Sequence, residues 1–452
     1  MPRLVFLLLA VILVSSLGWP IIAIGQIVYP VPGEEVWEVV SETGCSRHWA
    51  SDRCCAFDGR NRLYVCNTGV SDDYVTNLRR WDGESWQNID HSEPIWSLCA
   101  GQENAIIIGE EMNLGYIRDD EYHEIQMTCA NSERQFTTCL DDDQWVLSYG
   151  PDDGLQRTNW LHGGGDWLPI PGYTLLSEVD TWRGGSRWAC SDGRLYWWDL
   201  LGGVEWTPQE PRSGQNHAII QVEPYGAEAL WANGSGYLLS LEGDNFINMA
   251  EEGYPEPNAP IARLAIDKEL CPWCLLENNQ VARWRRLTNE WIHYTCEALS
   301  GVPQDIFLDH FDNPYIITDE MIVKMAFEAD GIEIDFQCKK QTYAPGETVG
   351  INTIAKNASW VGMLTDIYIA FWNKNTGEWL FLPNHSAEAT PLIARFWAKR
   401  RAPIYMGALD IGPAPMIPGD YLVLIGFMFE GRFDKLSSNV DTYDITVMNS
   451  SH

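Results

Sequence analysis

The sequence predicts an all-β chain in two parts: a seven-bladed β-propeller over residues 34–326, then an immunoglobulin-like β-sandwich over residues 330–448. Three observations predict it. An aromatic-anchored unit recurs at a period of about 42 residues, the signature of stacked or radially arranged supersecondary units. No segment holds a helical period of apolar residues. An anchor strand stands alone near the chain start, where it matches a unit near residue 326 that lacks one.

The anchors come first. Seven segments end alike, around Trp37, Trp86, Tyr122, Trp167, Trp206, Phe246 and Trp291. After each anchor come a short apolar run, a polar turn and a second run. The first runs are CCAF, WSLC, FTTC, SEVD, IIQV, RLAI and DIFL, and the second include RLYV, AIII and QWVL. A third set includes NLRRW, LGYIR and VARWR. Runs of this length, rich in aromatic and β-branched residues and bounded by Gly, Asp and Asn, predict strands. Each unit therefore reads as a four-stranded antiparallel meander. The anchors read as packing residues that fill the wedge between adjacent sheets.

The seventh unit, from Asp305 to Met325, has three strands and no anchor of its own. The VWEVV segment around Trp37 supplies the missing fourth strand from the chain start. Pairing the two closes a ring and removes the exposed sheet edges an open array would leave.

Beyond Phe327 the period stops. Longer alternating segments predict strands at 331–337, 347–355, 365–372, 377–382, 420–428 and 442–448, with tight turns such as YAPGE and PGDY between them. About seven strands in about 120 residues without helices predict the sandwich. The basic run FWAKRR (396–401) reads as a solvated loop.

The first 25 residues read as a secretory signal: one Arg, a long apolar run, then Ala23, Ile24 and Gly25 in the small-x-small order of a cleavage site. The expected mature start is near Gln26. The same run is long enough to stay as an anchor, a span needing about 20 residues. No later stretch is apolar enough to cross a membrane. Export makes the 12 cysteines disulfide candidates, with connectivity left open by their spacing. With 30 basic against 63 acidic residues, the net charge of −33 argues against nucleic acid and anionic membrane surfaces as partners. It suits cationic ligands or divalent ions, or simply keeps an exported protein soluble.

The segments FDGRNRLYV (57–65) and WDGESW (81–86) give the repeat its clearest form: a turn containing Asp or Gly ahead of an aromatic strand. In this the units resemble the repeats of two-component-regulator propellers, whose members often serve as periplasmic sensor ectodomains joined to a kinase. That resemblance implies the propeller fold and a sensing or binding role. These 452 residues include no kinase segment and no second apolar span, which turns the expectation towards extracellular binding. The C-terminal part resembles the Ig-like domains of bacterial secreted surface proteins, with the PGDY turn (418–421) as its mark.

In a propeller, the loops joining second to third strands share one end with the loops between sheets. Here they carry Asp72 and Asp73, Glu110 and Glu111, Asp152 and Asp153, Asp192, Glu277, and Asp319 and Glu320. A ring of carboxylates at one mouth would focus a negative field and hold Ca²⁺ or steer a cationic partner. The plainer reading is that turns favour such residues in an acidic chain. The CPWC segment (271–274) has redox spacing but falls on an expected strand, where no helix N-terminus is present to stabilise a thiolate. Cys55, Cys99 and Cys139 repeat at the ends of inner strands and read as small core residues. Asn233, Asn357, Asn384 and Asn449 head N-x-S/T sequons.

No acid pair at a defined separation, as glycosidic chemistry needs, stands out among so many carboxylates. The expectation is a non-catalytic protein, secreted, periplasmic or at the cell surface, without a cofactor and binding a protein or glycan ligand at the propeller face. The alternatives are a polysaccharide-active lyase or hydrolase with its site in the propeller mouth, or a sensor ectodomain if the N-terminal segment is uncleaved.

Overall fold

In the computed structural model the chain divides into two compact units, one of residues Tyr29–Phe327 and one that contains Glu328–His452. The structure describes residues between 32 and 448. Segments 46–53 and 67–77, every interstrand segment from 126 to 218, the side chains of that last stretch and short stretches elsewhere lie outside the described residues.

The first unit is all-β. Among the described residues it contains seven four-stranded antiparallel sheets. Sheet one comprises Cys55–Phe57, Leu63–Val65, Leu78–Trp81 and Trp86–Ile89. Sheets two to six follow as meanders over 95–125, 136–168, 176–209, 219–248 and 261–294. Sheet seven is different. Its strands Pro303–Leu308, Pro314–Thr318 and Ile322–Ala326 are consecutive, but the fourth is Val36–Ser41 from the chain start. That strand runs antiparallel to Ile322–Ala326, with Trp37 opposite Met325 and Val39 opposite Val323.

The cores lie between neighbouring sheets because each sheet is apolar on both faces, as buried runs such as Ile106–Glu110 and Pro314–Thr318 show. One core joins sheets one and two through Tyr64, Leu98, Ile106 and Ile117. Another joins sheets six and seven through Trp273, Tyr294, Ile316 and Val323, with Trp37 packed against it. Trp273 is fully buried and stacks on Tyr294 at 5.3 Å between ring centroids. The Tyr294 hydroxyl, pushed up to about 12 by burial, is un-ionised at any physiological pH.

The anchors do more than fill a wedge. Trp86 donates its indole N–H to the Val40 carbonyl at 2.8 Å, tying sheet one to the strand that completes sheet seven. Arg79 stacks over the same ring and donates to Thr43 Oγ1 at 2.5 Å. Gly44 follows directly, at a place where an added Cβ would lie 1.9 Å from the Thr318 carbonyl oxygen. Trp206 lies outside the described residues, and the side chains of Trp167 and Phe246 are likewise outside them.

The second unit is built from two sheets. One contains Ile332–Cys338, Thr348–Asn357 and Ala402–Pro413. The other orders Thr342–Tyr343, Asp441–Val447, Gly419–Phe429, Met363–Asn373 and Trp379–Phe381, with Ile393–Ala398 also on Met363–Asn373 and Arg432–Leu436 on Gly419–Phe429. Ile332–Cys338 alternates buried and exposed residues throughout, as a sheet with one wet face requires. At the PGDY turn the Tyr421 hydroxyl donates to the Ile417 carbonyl at 2.8 Å.

Four strands lie outside the ranges expected from the sequence, the short Thr342–Tyr343 and Arg432–Leu436 and two longer ones. Phe396, Trp397 and Ala398 of the run expected as a loop belong to the strand Ile393–Ala398, paired with Met363, Leu364 and Thr365. Ala402–Pro413 is a long strand that Pro403, Gly407 and Gly412 hide in the sequence. It pairs on one side only and carries register shifts, so proline and glycine are tolerated there.

Candidate functional site

Two ends of the first unit concern function. One carries the second-to-third-strand turns and the segments between sheets, where the acidic loops were expected. Of those residues, Asp72, Asp73, Glu111, Asp152, Asp153 and Asp192 lie outside the described residues. Glu277, Asp319 and Glu320 are exposed on the corresponding turns of sheets six and seven. Asp319 also braces its own loop, its carboxylate accepting the Val302 amide at 2.6 Å.

Glu110 is placed otherwise than the loop pattern suggests. It is 2 % exposed and accepts the Tyr122 hydroxyl at 2.6 Å, with His91 Nε2 at 3.3 Å. The anchor Tyr122 reaches it by crossing Gly115, where an added Cβ would meet its ring at 2.4 Å. A glycine diagonal to an aromatic anchor across the strand pair is the sequence signal for this inward turn.

From that end a groove of about 290 Å³ runs along the outer side of sheets five and six, between the second-to-third-strand turn of sheet five and the third-to-fourth-strand hairpin of sheet six. Trp284 and Trp291, cross-strand partners, form its wall with ring centroids 5.3 Å apart. Tyr237, 42 % exposed, stands at its rim beside Pro255, Pro257 and Pro260. The Trp291 indole N–H donates to the Pro255 carbonyl at 2.8 Å, which holds the proline-rich segment across the opening. Gly236, at φ +92, lets Pro260 pack where a side chain would meet its Cβ at 2.8 Å. Glu277 adjoins this groove, its amide bonded to the Pro260 carbonyl.

The other end is organised by a turn that recurs between first and second strands. Asp58, Asp267 and Asp309 hold equivalent positions. Each Oδ1 accepts the amides two and four residues on: Arg60 and Arg62, Glu269 and Cys271, Phe311 and Asn313, all between 2.8 and 3.0 Å. The intervening Asn61, Leu270 and Asp312 take φ of 60°, 63° and 62° to close the turn. The second carboxylate oxygens reach beyond the turn. Asp58 Oδ2 holds Arg62, and Asp267 Oδ2 accepts from Trp273 Nε1 at 3.1 Å and Arg283 Nε at 2.7 Å.

These turns link neighbouring sheets. Arg60 and Arg62 reach Asp119 and Asp120 of sheet two, and Arg80 pairs with Asp120 as well. Asn61 Oδ1 accepts the His310 amide, joining sheet one to sheet seven. Asp312 Oδ2 accepts the Lys268 amide at 3.0 Å, joining seven to six. Asp267, Glu269 and Cys271 cluster closely enough to suggest a metal. Arg283, 1 % exposed, already supplies the positive charge there, donating to Glu269 at 2.6 Å. The cluster is an ion-pair network.

Asp312 is fully enclosed. Burial, reinforced by the charges of Asp267 and Asp309, pushes its carboxyl up to about 7 against the opposing Lys268 charge and amide. A carboxyl protonated in the folded state contributes stability that is complete below its unfolded value of about 3.9 and is lost as pH rises through about 7. Asp312→Asn keeps an oxygen for the Lys268 amide and tolerates the left-handed backbone. We expect it to raise the melting temperature at pH 8 and to flatten the decline in stability between pH 4 and pH 7. Thermal melts across that window decide the matter: an unchanged slope in the variant assigns the titration to another group.

The CPWC cysteines are core residues. Cys274 is fully buried within the strand Pro272–Leu276, and burial pushes its thiol far up. Cys271 is raised for the same reason, with Asp267 adding to it. Cys55 and Cys99 are buried at inner strands, and the Cys139 side chain is outside the described residues. Asn233 and Asn357 are fully buried and donate to backbone carbonyls, so neither sequon is accessible in the fold.

The chain matches no family model and no curated protein. Among solved structures it is similar to a catalytically inactive virginiamycin B lyase from Staphylococcus aureus with quinupristin, at a TM-score of 0.51 and 10% identity over 65% of this chain and 100% of that one. It is similar to YCF48 bound to D1 peptide, at 0.51 and 14% over 69% and 99%. It also resembles the extracellular domain of a hybrid two-component system from B. thetaiotaomicron, at 0.51 and 10% over 92% of this chain and 58% of that chain. At these identities the likeness is one of fold, and that fold is a β-propeller. No helix among the described residues is long and apolar enough to cross a membrane.

Proposed function

We propose that this is an exported, non-catalytic binding protein. In this reading residues 1–25 are a cleaved signal, the sheets of residues 34–326 form a seven-bladed ring, and residues 330–448 form an Ig-like module. The ring recognises a glycan or protein ligand at the end that carries the groove. The observation that carries the reading is the groove itself. The partly exposed Trp291 and the exposed Tyr237, backed by the buried Trp284 and braced by prolines, make a rigid, largely apolar platform. Aromatic faces of this kind stack on sugar rings and on peptide side chains at little cost in side-chain entropy. The fold it shares with a peptide-bound protein and with an extracellular domain is in keeping with such a role.

A glycan and peptide screen on the full secreted chain tests it. For a ligand found there, Tyr237→Ala is expected to weaken binding about tenfold, roughly 1.4 kcal/mol. Because Tyr237 lies at the rim, its loss should leave stability within about 0.5 kcal/mol. Binding untouched by Tyr237→Ala and by Trp291→Phe would move the site elsewhere. Calcium is the proposed ion for the acidic loops, held by carboxylate and carbonyl oxygens. A rise in melting temperature on adding millimolar calcium is the expected result, and its absence removes the metal from the proposal.

A further inference from the structure

We propose that Cys45 and Cys54 form a disulfide bond that fastens the chain-start strand of sheet seven to the first strand of sheet one. Cys45 follows the strand Val36–Ser41, and its amide donates to the Thr318 carbonyl at 3.0 Å, so it is held on sheet seven. Cys54 immediately precedes the strand Cys55–Phe57, and its carbonyl accepts the Cys66 amide at 2.9 Å, so it belongs to sheet one. The two thiols are hydrogen-bonded to each other, at 1 % and 0 % exposure. Two consecutive strands that belong to different sheets thus bring their sulfurs into contact inside the fold.

The competing pairings are weaker. Cys55 is also hydrogen-bonded to Cys54, but joining neighbouring residues would distort the ladder where Cys55 pairs with Val65. Cys66 lies near Cys45 and opposite Cys54, and a bond to Cys54 would only staple two strands already paired.

Burial raises the Cys45 thiol well above its ordinary value, so the folded pair is a poor nucleophile. The bond therefore forms before the chain-start strand docks. One thiolate attacks the disulfide of an oxidised thiol–disulfide carrier, releasing one carrier thiol and leaving a mixed disulfide. The other thiolate displaces the second carrier thiol. The chain loses two protons and two electrons, and the carrier takes them up. Closing so short a loop removes unfolded-state entropy.

In the cell the bond rests on the proposed export, which supplies an oxidising compartment. A test in defined glutathione buffer is independent of that reading, so failure of one leaves the other standing. The full chain is refolded in oxidised and reduced glutathione, alkylated and digested with trypsin. Cleavage after Arg47, Arg53, Arg60 and Arg62 puts Cys45, Cys54 and Cys66 on three different peptides. The expected product is the Cys45 peptide linked to the Cys54 peptide, retained in Cys55→Ser. A link from Cys54 to Cys66, thiols throughout, or one zinc per chain lost with Cys54→Ser would each overturn the proposal. Reductant should lower the melting temperature of the wild type by about 5 °C and leave that of Cys45→Ser unchanged. Should Cys45→Ser not fold, the peptide map of the wild type still decides.

Discussion

Deleting residues 27–44 is expected to abolish cooperative folding of the Tyr29–Phe327 unit. The deletion removes the strand Val36–Ser41 and uncovers the whole edge of Ile322–Ala326. Val323 and Met325, both fully buried, would be exposed, and Trp37 would leave the core that joins sheets six and seven. Side chains of this size contribute about 1.5–3 kcal/mol each on burial. The sum is on the order of 5 kcal/mol before any backbone pairing is counted, and a domain has only about 5–15 kcal/mol to lose. The deletion also takes away Val40 and Thr43, the partners of Trp86 and Arg79. Near-ultraviolet circular dichroism and a thermal melt provide the measurement. A truncated chain that melts as the full one does would show that the chain-start strand closes nothing.

Asp267→Ala is expected to be the most damaging single substitution at the other end of that unit. One carboxylate accepts two amides of its own turn, the Trp273 indole and the Arg283 guanidinium. Removing it takes from a buried arginine its buried carboxylate partner and leaves the half-exposed Glu269 beside it. Breaking a buried pair from one side costs about 3–5 kcal/mol, because the remaining charge stays desolvated. Asp267→Asn should cost less, since its oxygen still serves the turn amides, and the double variant Asp267→Ala, Arg283→Met should recover part of the loss. Urea unfolding of the three variants separates charge burial from turn geometry. Equal losses in Asp267→Ala and the double variant, with little loss in Asp267→Asn, would place the cost in the turn alone.

The strands of both units were largely legible. Period-two and repeat patterns follow from which side of a strand faces a core, and that is a property of residue type along the chain. The same patterns failed where an element pairs on one side only, as with Ala402–Pro413, because an edge strand accepts proline and glycine. The site was legible in part. Asp58 and the DG turn stood out as a motif, but its use as an amide clamp that also holds Arg62 needs the turn's closed shape. Arg283 sits in the run VARWR, where nothing in the pattern tells a snorkelling arginine from a buried one. Glu110 has the pattern of a loop acid, and only the fold of Tyr122 over Gly115 turns it inward.

Residue order alone carries the all-β character, the repeated meander and the presence of an unpartnered anchor strand at the chain start. Each depends on local chemistry: β-branched and aromatic runs, turn residues and their spacing. Which groups meet is a matter for the three-dimensional fold. It sets Trp37 opposite Met325, brings Cys45 to Cys54, fills a seeming metal cluster with Arg283 and assembles a groove from Tyr237, Trp284 and the prolines after Met249. Such meetings depend on how strands and sheets settle against one another, and the free energy of that settling is spread over whole cores rather than written in any one segment.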